Sequence, residues 1–273
     1  MQKRPDMKKL EKIAKELRIE ILKMLECAGS GHTGGSLSIV DLLVGLYFYK
    51  FRCDPDKPLC ETRDIFILSK GHACPALYAV LSHMNFFDKK ELCTLRKLGT
   101  RLQGHPQKGL PGVEVSSGSL GQGLSIANGF ALAARMDKDK RRISCIMGDG
   151  ELDEGQVWEA ALTSAHYKLD NVCGIVDFNK FQIDGKIEDV KKLEPLKDKW
   201  QAFGWEVLEI NGHDLQEVID AYDKAETIKG KPTLILAHTV KGKGVSFCEN
   251  QNKYHGVALS KEELEKAIKE LQG

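Results

Sequence analysis

A buried strand, a glycine turn and the start of a helix follow one another in the stretch Ile143-Ser144-Cys145-Ile146-Met147-Gly148-Asp149-Gly150. The apolar run ends at the first glycine, and a helical pattern begins a few residues later, at Glu154. In an open α/β sheet, ligands bind beyond the carboxyl ends of the strands. Asp149 is therefore predicted to face a ligand crevice, and the flanking glycines allow the backbone to approach that ligand closely.

More apolar runs of strand length lie before and after this unit, and helical patterns separate most of them. Continuous apolar runs are typical of parallel strands that are buried on both faces. We therefore predict an α/β fold with a doubly wound, mostly parallel sheet and helices on both faces. The predicted strands are 65–68, 143–147, 172–176, 205–210 and 233–237, and the predicted helices between them are 120–135, 154–167, 193–203 and 215–224. No repeat or linker divides residues 1–273, which we interpret as one domain.

Two helices are predicted before the first strand, with a glycine-rich segment between them. Apolar residues recur at helical spacing from Met7 to Cys27, and the polar segment 29–36 that follows is predicted to be a loop. A second helix is expected from Ser38 to Lys50, with Ser38 as a candidate cap. A charged amphipathic helix at 260–271 ends the chain.

Composition argues against several classes of partner. Lys and Arg total 40 and Asp and Glu total 39, so there is no strong field to attract nucleic acid or a membrane surface. No apolar run approaches the roughly 20 residues of a membrane span, and the polar first residues do not resemble a signal peptide, so a cytoplasmic protein is expected. The eight cysteines form no Cys-x-x-Cys pair, which argues against a metal cluster and fits a reducing compartment. Cys145 and Cys173 are predicted to be buried.

Oxygen-bearing side chains follow two of the predicted strands. Asp149 follows the strand 143–147, and Asn179 follows the strand 172–176. A carboxylate and an amide at neighbouring strand ends suit Mg²⁺, which binds one or two such groups together with water and phosphate oxygens. Taken alone, Asp149 is better explained as an ordinary turn residue. The combination with Asn179 favours a metal site.

This pair resembles the signature of enzymes that use thiamine diphosphate, in which Gly-Asp-Gly precedes an asparagine at about this spacing; here Asn179 lies 30 positions after Asp149. Further motifs resemble those of the transketolase family, in the same order and over nearly the whole chain. They are Ser30-Gly31-His32-Thr33-Gly34-Gly35-Ser36, Ser69-Lys70-Gly71-His72-Ala73-Cys74-Pro75-Ala76-Leu77-Tyr78, Gly104-His105-Pro106, Val115-Ser116-Ser117-Gly118-Ser119-Leu120-Gly121-Gln122-Gly123 and His255-Gly256-Val257-Ala258-Leu259. Ser117 and Ser119 depart from the usual threonine and proline.

The resemblance implies thiamine diphosphate as cofactor, bound with Mg²⁺ or with Ca²⁺ or Mn²⁺ in its place. The implied metal ligands are the side chains of Asp149 and Asn179 and the carbonyl oxygen of Phe181. The implied cofactor-binding residues are His72, Gly118, Ser119, Leu120, Asp149, Gly150, Asn179 and His255. The implied catalytic residues are His32, His105, Glu154 and His255.

Each of these residues also has a simpler explanation. A lone histidine is usually a surface or core residue, but His32, His72 and His105 lie beside glycines in polar segments, where ligand groups are common. The resemblance implies that His32 and His105 bind hydroxyl groups of the ketose donor. Imidazole suits this role because it can both donate and accept a hydrogen bond. Glu154 is explained equally well as a first-turn carboxylate favoured by the helix dipole. In the family the matching glutamate joins an acid network between two active sites.

The resemblance also implies a partner chain. Full transketolases carry a second domain that binds the pyrimidine ring of the cofactor and supplies a glutamate to it, and the motifs here leave room for about one more helix. We therefore expect the N-terminal subunit of a split transketolase, acting on sugar phosphates. The C-terminal subunit, with the pyrimidine-binding and C-terminal domains, would complete a heterotetramer. Two alternatives stay open: a sibling enzyme, such as a deoxyxylulose-phosphate synthase or a transketolase for unusual sugars, and a non-catalytic module.

Overall fold

The computed structural model describes residues 4–54, 57, 60 and 63–273. The strands are β1 Ile65–Leu68, β2 Ile143–Gly148, β3 Val172–Phe178, β4 Phe181–Gln182, β5 Gly185–Lys186, β6 Glu206–Asn211 and β7 Thr233–His238. The helices are α1 Met7–Ala28, α2 Thr33–Leu37, α3 Val40–Gly45, α4 Cys74–His83, α5 Gln122–Met136, α6 Gly155–His166, α7 Ile187–Val190, α8 Leu196–Ala202, α9 Leu215–Thr227 and α10 Lys261–Gln272. A π-helical turn, Leu46–Lys50, extends α3, and 3₁₀ turns occupy Gly71–Ala73, Lys89–Thr94, Gly150–Asp153 and Asn252–Tyr254.

The central sheet is parallel throughout, in the order β1-β2-β3-β7-β6. Strands β2, β3 and β7 are buried along almost their whole length, as the continuous apolar runs predicted. Strand β6 lies at the sheet edge, and Val207 is the one buried residue among its six. The short strands β4 and β5 form a separate antiparallel hairpin directly after β3.

Helices cover both faces of the sheet, because successive strand residues point into two separate apolar cores. In β1, Phe66 and Leu68 join the core that includes α1, α3, α4 and α9, while Ile65 and Ile67 join the core that includes α5, α6 and α8. The buried thiols Cys145 and Cys173 contribute one to each core, as predicted. The predicted doubly wound α/β fold is confirmed.

The glycine-rich segment differs from its prediction. It is a loop only as far as His32, because Thr33–Leu37 form α2, and all five of these residues are buried. Ser38 does not cap the next helix, which starts at Val40 without a side-chain cap. Its hydroxyl instead donates to the Asp177 carboxylate, at 2.7 Å. The prediction failed because the partner of Ser38 lies 139 residues away in sequence.

Helix α4 was not predicted. Nine of its ten residues, from Cys74 to Ser82, are buried, so it has no polar face and no amphipathic period to reveal it. Within the part of the chain that the structure describes, no helix has the length and apolarity needed to cross a membrane.

Candidate active site

A cleft of about 270 Å³ lies at the carboxyl ends of the central strands. Most of the predicted site residues line it: His32, His72, His105, Gly118, Leu120, Asp149, Gly150, Asn179, Phe181 and His255. These residues come from segments that are far apart in sequence, and the parallel sheet brings them to one edge. This is the crevice in which doubly wound sheets bind their ligands.

Asp149 and Asn179 emerge from neighbouring strands, as predicted, because β2 and β3 pair in parallel with Gly148 opposite Asp177. The Asp149 carboxylate accepts hydrogen bonds from the backbone amides of Gly150, at 2.8 Å, and Lys180, at 2.5 Å. The side-chain oxygen of Asn179 accepts one from the Phe181 amide, at 3.1 Å. These bonds hold the loop 179–181 against the glycine turn after β2.

The electrostatics of Asp149 suit a cation. Burial and the nearby Asp177 carboxylate raise the pKa of Asp149 to about 7, so the cleft holds an acidic group that lacks sufficient positive charge around it. No group of three or more His, Cys, Asp or Glu side chains able to hold a metal occurs among the described residues. One carboxylate, one amide and a backbone carbonyl make a partial oxygen set, which fits Mg²⁺ completed by phosphate and water.

Three imidazoles meet in the middle of the cleft. The ring centroids of His32 and His72 are 5.0 Å apart, and the ring of His255 lies 5.7 Å from each of them. The ring nitrogen Nδ1 of His32 is buried and has no hydrogen-bond partner within the described chain. Such an orphaned polar atom in a cleft marks a place where a ligand can bond.

These histidines are neutral in the folded chain. Burial, followed by the charge of Arg96, lowers the pKa of His32 to about 4, and burial with the charge of Lys241 lowers that of His255 to about 3. Burial also lowers the pKa of His72. Burial and, as the smaller cause, the charge of Arg96 lower the pKa of His105. A neutral imidazole keeps one donor and one acceptor nitrogen, which suits binding and proton exchange with hydroxyl groups.

Stability is expected to fall as the pH drops from 6.5 towards 4. Once unfolded, His32 and His255 take up protons near their ordinary pKa, so the unfolded chain binds more protons across this window and acid favours unfolding. Thermal midpoints of the chain without metal should therefore fall less steeply with acid in the double variant His32→Gln/His255→Gln than in the parent. Equal slopes would show that these two rings are not buried as neutral groups.

The loop before α5 is shaped by glycine. Gly118 has φ of 153°, and a Cβ there would come within 3.1 Å of the His105 ring. The amide of Gly121 donates to Glu151, at 2.8 Å, and the amide of Gly123 donates to Ser69 Oγ, at 3.0 Å. These two amides are therefore engaged within the protein, and only the earlier part of the loop faces the cleft.

Glu151 connects this loop to the ends of the neighbouring strands, and the sequence did not predict it as a site residue. Its buried carboxylate also accepts hydrogen bonds from the amide of Gly148, at 3.0 Å, and from the Ser69 hydroxyl. It thus joins the ends of β1 and β2 to the start of α5. Burial raises the pKa of this carboxyl group. The sequence shows Glu151 only as one of several acidic residues after a glycine turn.

Asp177 and Lys70 form a buried ion pair that was also missed. The Lys70 ammonium lies 2.5 Å from the Asp177 carboxylate, and the side chains of Lys70 and Asp177 are 2% and 0% exposed, respectively. Asp177 also accepts from Ser38, from Thr239 and from the amide nitrogen of Asn179, the last at 2.9 Å. The bond to Asn179 turns the amide oxygen away from Asp177. Although burial favours the neutral acid, Lys70 holds the pKa of Asp177 below its usual range.

The variant Asp177→Asn is expected to lose about 3–5 kcal/mol of unfolding free energy, because it leaves the Lys70 ammonium buried without its counter-charge. Adding Lys70→Met removes that ammonium and should restore part of the loss. Urea unfolding of the two variants and the parent measures both effects. A double variant less stable than Asp177→Asn would contradict this explanation.

Lys241 is a second buried cation that lines the cleft. Its ammonium lies 2.8 Å from Nδ1 of His255 and 3.2 Å from the side-chain oxygen of Asn252. Burial and the charge of Lys70 lower the pKa of Lys241 to about 8. Two buried ammonium groups beside one cleft favour an anionic ligand. A single lysine in a Lys-rich sequence gives no signal of this role.

Two predicted residues do not line the cleft. Ser119 is exposed, and its loop neighbours Gly118 and Leu120 face the cleft instead. Glu154 is also exposed; it precedes α6 as the N-cap residue, without a side-chain hydrogen bond to the helix. Its Cβ packs near Gly121. Glu154 is thus placed on an outer face, and its predicted role between two active sites stays a prediction.

A wider groove, of about 760 Å³, lies between α1, α9 and α10. None of the predicted site residues lines it. Arg18 pairs with Asp41 at 2.6 Å, and Asp41 also bonds His213 at 2.8 Å. These three side chains therefore already satisfy one another, and with none of the predicted site residues in this groove we place the active site in the smaller cleft.

Comparison with known proteins identifies the family. Residues 9–273 match the family model for "Transketolase, thiamine diphosphate binding domain". The chain belongs to the transketolase family. It is 43% identical over 268 residues to the 6-deoxy-6-sulfo-D-fructose transketolase subunit of a Clostridium species, covering 98% of this chain and 96% of that protein. It is 42% identical over 262 residues to an apulose-4-phosphate transketolase subunit of Phocaeicola vulgatus, covering 96% and 93%.

One-chain transketolases are matched over less than half of their length. The human enzyme is 37% identical over 272 residues, which cover 98% of this chain and 43% of that protein. A crystal structure of transketolase from Campylobacter jejuni superposes with a TM-score of 0.93 at 35% identity, covering 98% of this chain and 43% of that one. The chain thus corresponds to the thiamine diphosphate-binding part of transketolase and spans nearly the whole length of relatives that are named as transketolase subunits. The resemblance predicted from the motifs is confirmed.

Proposed function

We propose that this chain is the diphosphate-binding subunit of a two-chain transketolase, which moves a two-carbon ketol unit from a ketose phosphate to an aldose phosphate. The observation that carries the proposal is a single cleft that combines Asp149 and Asn179 with three neutral imidazoles and two buried ammonium groups. Such a cleft suits a metal, a diphosphate and a polyhydroxylated substrate together. A non-catalytic module would have no use for this combination.

Asp149, Asn179 and the carbonyl oxygen of Phe181 are the residues that would hold Mg²⁺. Lys70 and Lys241 supply positive charge on the same side of the cleft, where a diphosphate would need it. When bound, thiamine diphosphate supplies the nucleophilic carbon and the electron sink that a two-carbon transfer requires. The protein contributes position, charge and proton exchange around it.

His32 and His105 are proposed to bind hydroxyl groups of the ketose donor. Both line the cleft and are neutral, and Nδ1 of His32 has no hydrogen-bond partner within the described chain. His255 accepts a hydrogen bond at Nδ1 from Lys241, which leaves Nε2 as the nitrogen that carries the proton. His255 can therefore donate a hydrogen bond from Nε2, and Lys241 is placed to hold that tautomer.

The partner is proposed to be a C-terminal transketolase subunit, in a heterotetramer. Relatives of the same length are named as subunits, and exposed apolar side chains on this chain support a covered face. Ile183, 66% exposed, and Val257, 46% exposed, lie near the cleft, and Leu162 on α6 is 56% exposed. Ile183 itself lines the cleft, so apolar surface is exposed at the place where the family's second domain would pack.

The sugars handled stay open between ordinary pentose and hexose phosphates and less common ones. Two of the relatives are named for 6-deoxy-6-sulfo-D-fructose and apulose-4-phosphate, which favours a specialised donor as the second candidate. Parallel assays of the assembled enzyme with ketose phosphates, a sulfonated ketose and pyruvate will show which donor it uses. Use of pyruvate and of none of the ketoses as donor, with an aldose phosphate as acceptor, would instead indicate a deoxyxylulose-phosphate synthase-like activity.

The variant His105→Ala is expected to lower kcat/KM for the ketose donor by roughly 10²–10³-fold while leaving cofactor affinity nearly unchanged, because His105 lines the cleft without belonging to the proposed metal set. Steady-state kinetics and cofactor titration on the assembled enzyme measure the two effects. His166→Ala, which removes an exposed imidazole at the end of α6, is the matched control. Loss of cofactor binding in His105→Ala would show that this residue belongs to the cofactor site.

A further inference from the structure

Two exposed thiols lie against each other outside the active-site cleft. Cys27 is in the last turn of α1, and Cys93 is in the 3₁₀ turn Lys89–Thr94. Their sulfur atoms are 2.7 Å apart, although 66 positions separate the residues in sequence. A disulfide bond is roughly 2 Å long, so bonding requires only a small further approach of the two side chains.

Both thiols are held on firmly docked backbone. Beside Cys93, Leu92 and Leu95 are 5% and 1% exposed, and both belong to the core that includes α1. An ion pair between Lys89 and Glu20 joins the same 3₁₀ turn to α1. Because folding itself brings the two sulfur atoms together, little additional chain entropy is lost when they bond.

We propose that Cys27 and Cys93 form a reversible intramolecular disulfide by exchange with a small-molecule disulfide such as oxidised glutathione. One protein thiolate attacks the small disulfide, forms a mixed disulfide and releases one small thiolate. The second protein sulfur then attacks the mixed disulfide and displaces the other small thiolate. The two protein thiols are oxidised, the small disulfide is reduced to two thiols, and the two protons lost by the protein thiols end on the two released small thiolates.

Either thiolate can open the exchange, because the two sulfur atoms are in contact and both side chains are exposed. The other sulfur then lies next to the mixed disulfide and resolves it.

The bond would tie together two segments that lead into the substrate side of the cleft. Cys27 precedes the loop that carries Ser30 and His32, and Arg96 follows Cys93 by one turn. The Arg96 guanidinium donates to Ser30 Oγ at 3.2 Å, and its charge contributes to the lowered pKa values of His32 and His105. Since the thiols are already in contact, the bond preserves this arrangement, and the cofactor end of the cleft is left as it is.

The test compares the full chain held in a strong reductant with the same chain equilibrated in oxidised and reduced glutathione. Peptide mapping without reduction should find Cys27 joined to Cys93, and the thermal midpoint should rise by roughly 5–10 °C because the bond closes a long loop. Both changes should reverse on adding reductant. Cofactor titration with Mg²⁺ and thiamine diphosphate should give the same affinity in either state.

Serine variants provide the controls. Cys27→Ser and Cys93→Ser should each remove the link and the thermal shift, whereas Cys53→Ser, at a half-buried thiol elsewhere in the chain, should keep both. The assembled two-chain enzyme is treated in the same way, which tests whether the pair stays accessible there. Glutathione adducts without the Cys27–Cys93 link, a link between two chains, or an unchanged thermal midpoint in the linked protein would overturn the proposal.

Discussion

Replacing Asp149 with alanine is expected to weaken Mg²⁺-dependent binding of thiamine diphosphate to the assembled enzyme by roughly 100-fold or more. The buried carboxylate is the charged group of the proposed metal set, and loss of a buried charge partner costs about 2–5 kcal/mol. Without the metal, the negative charge of the diphosphate would be left without its main compensating charge. Calorimetric titration of the cofactor, at saturating Mg²⁺ and with Mg²⁺ replaced by a chelator, measures the loss.

Two variants separate this effect from a general loss of structure. Asp149→Asn keeps the size of the side chain and removes its charge, so it should lose most of the affinity and stay folded. Asp189→Ala removes an exposed carboxylate in α7 and should bind like the parent. Unchanged cofactor affinity in a folded Asp149→Ala protein would remove the metal assignment.

The chain on its own is expected to show no measurable ketol transfer. The cleft described above offers a metal set, positive charge and imidazoles. The family places the pyrimidine ring of the cofactor against a second domain, and that domain is proposed to belong to the partner chain. Transfer assays with Mg²⁺, thiamine diphosphate, a ketose phosphate and an aldose phosphate check this result.

The isolated chain should also self-associate, because its uncovered apolar side chains gain stability by packing against one another. Light scattering across a concentration series measures this association. Exchanging the exposed Leu162 for lysine should reduce it, whereas Glu159→Gln, at an exposed polar position of the same helix, should not. A strictly monomeric parent chain at all concentrations would argue against a large uncovered interface.

The strand ends were predictable from the sequence because parallel strands obey local rules. A continuous apolar run followed by Gly148-Asp149-Gly150 indicates a buried strand that ends at the ligand edge, and the same reasoning applied to Asn179. The two residues were therefore predicted to be neighbours, and the register of β2 and β3 confirms it. The histidines could be chosen only through the motifs of the family, since spacing alone does not distinguish them from ordinary surface residues.

The supporting charges could not be predicted because each depends on a contact distant in sequence. Lys70 and Asp177 are 107 positions apart, and Glu151 reaches Ser69 across 82 positions. Neither burial nor pairing of a charged side chain is visible in a local pattern. Helix α4 and the buried turn α2 were missed for a related reason, since an element that is buried on every side has no amphipathic period.

The most direct test of the two-chain account is a reconstitution titration. A C-terminal transketolase subunit from the same organism is added stepwise to a fixed amount of this chain, with cofactor, metal and sugar phosphates present, while ketol transfer and particle mass are followed. The account predicts no transfer at the start, a rise that saturates at equal amounts of the two chains, and a larger particle of the mass of a heterotetramer. Robust transfer by this chain before any partner is added would contradict it.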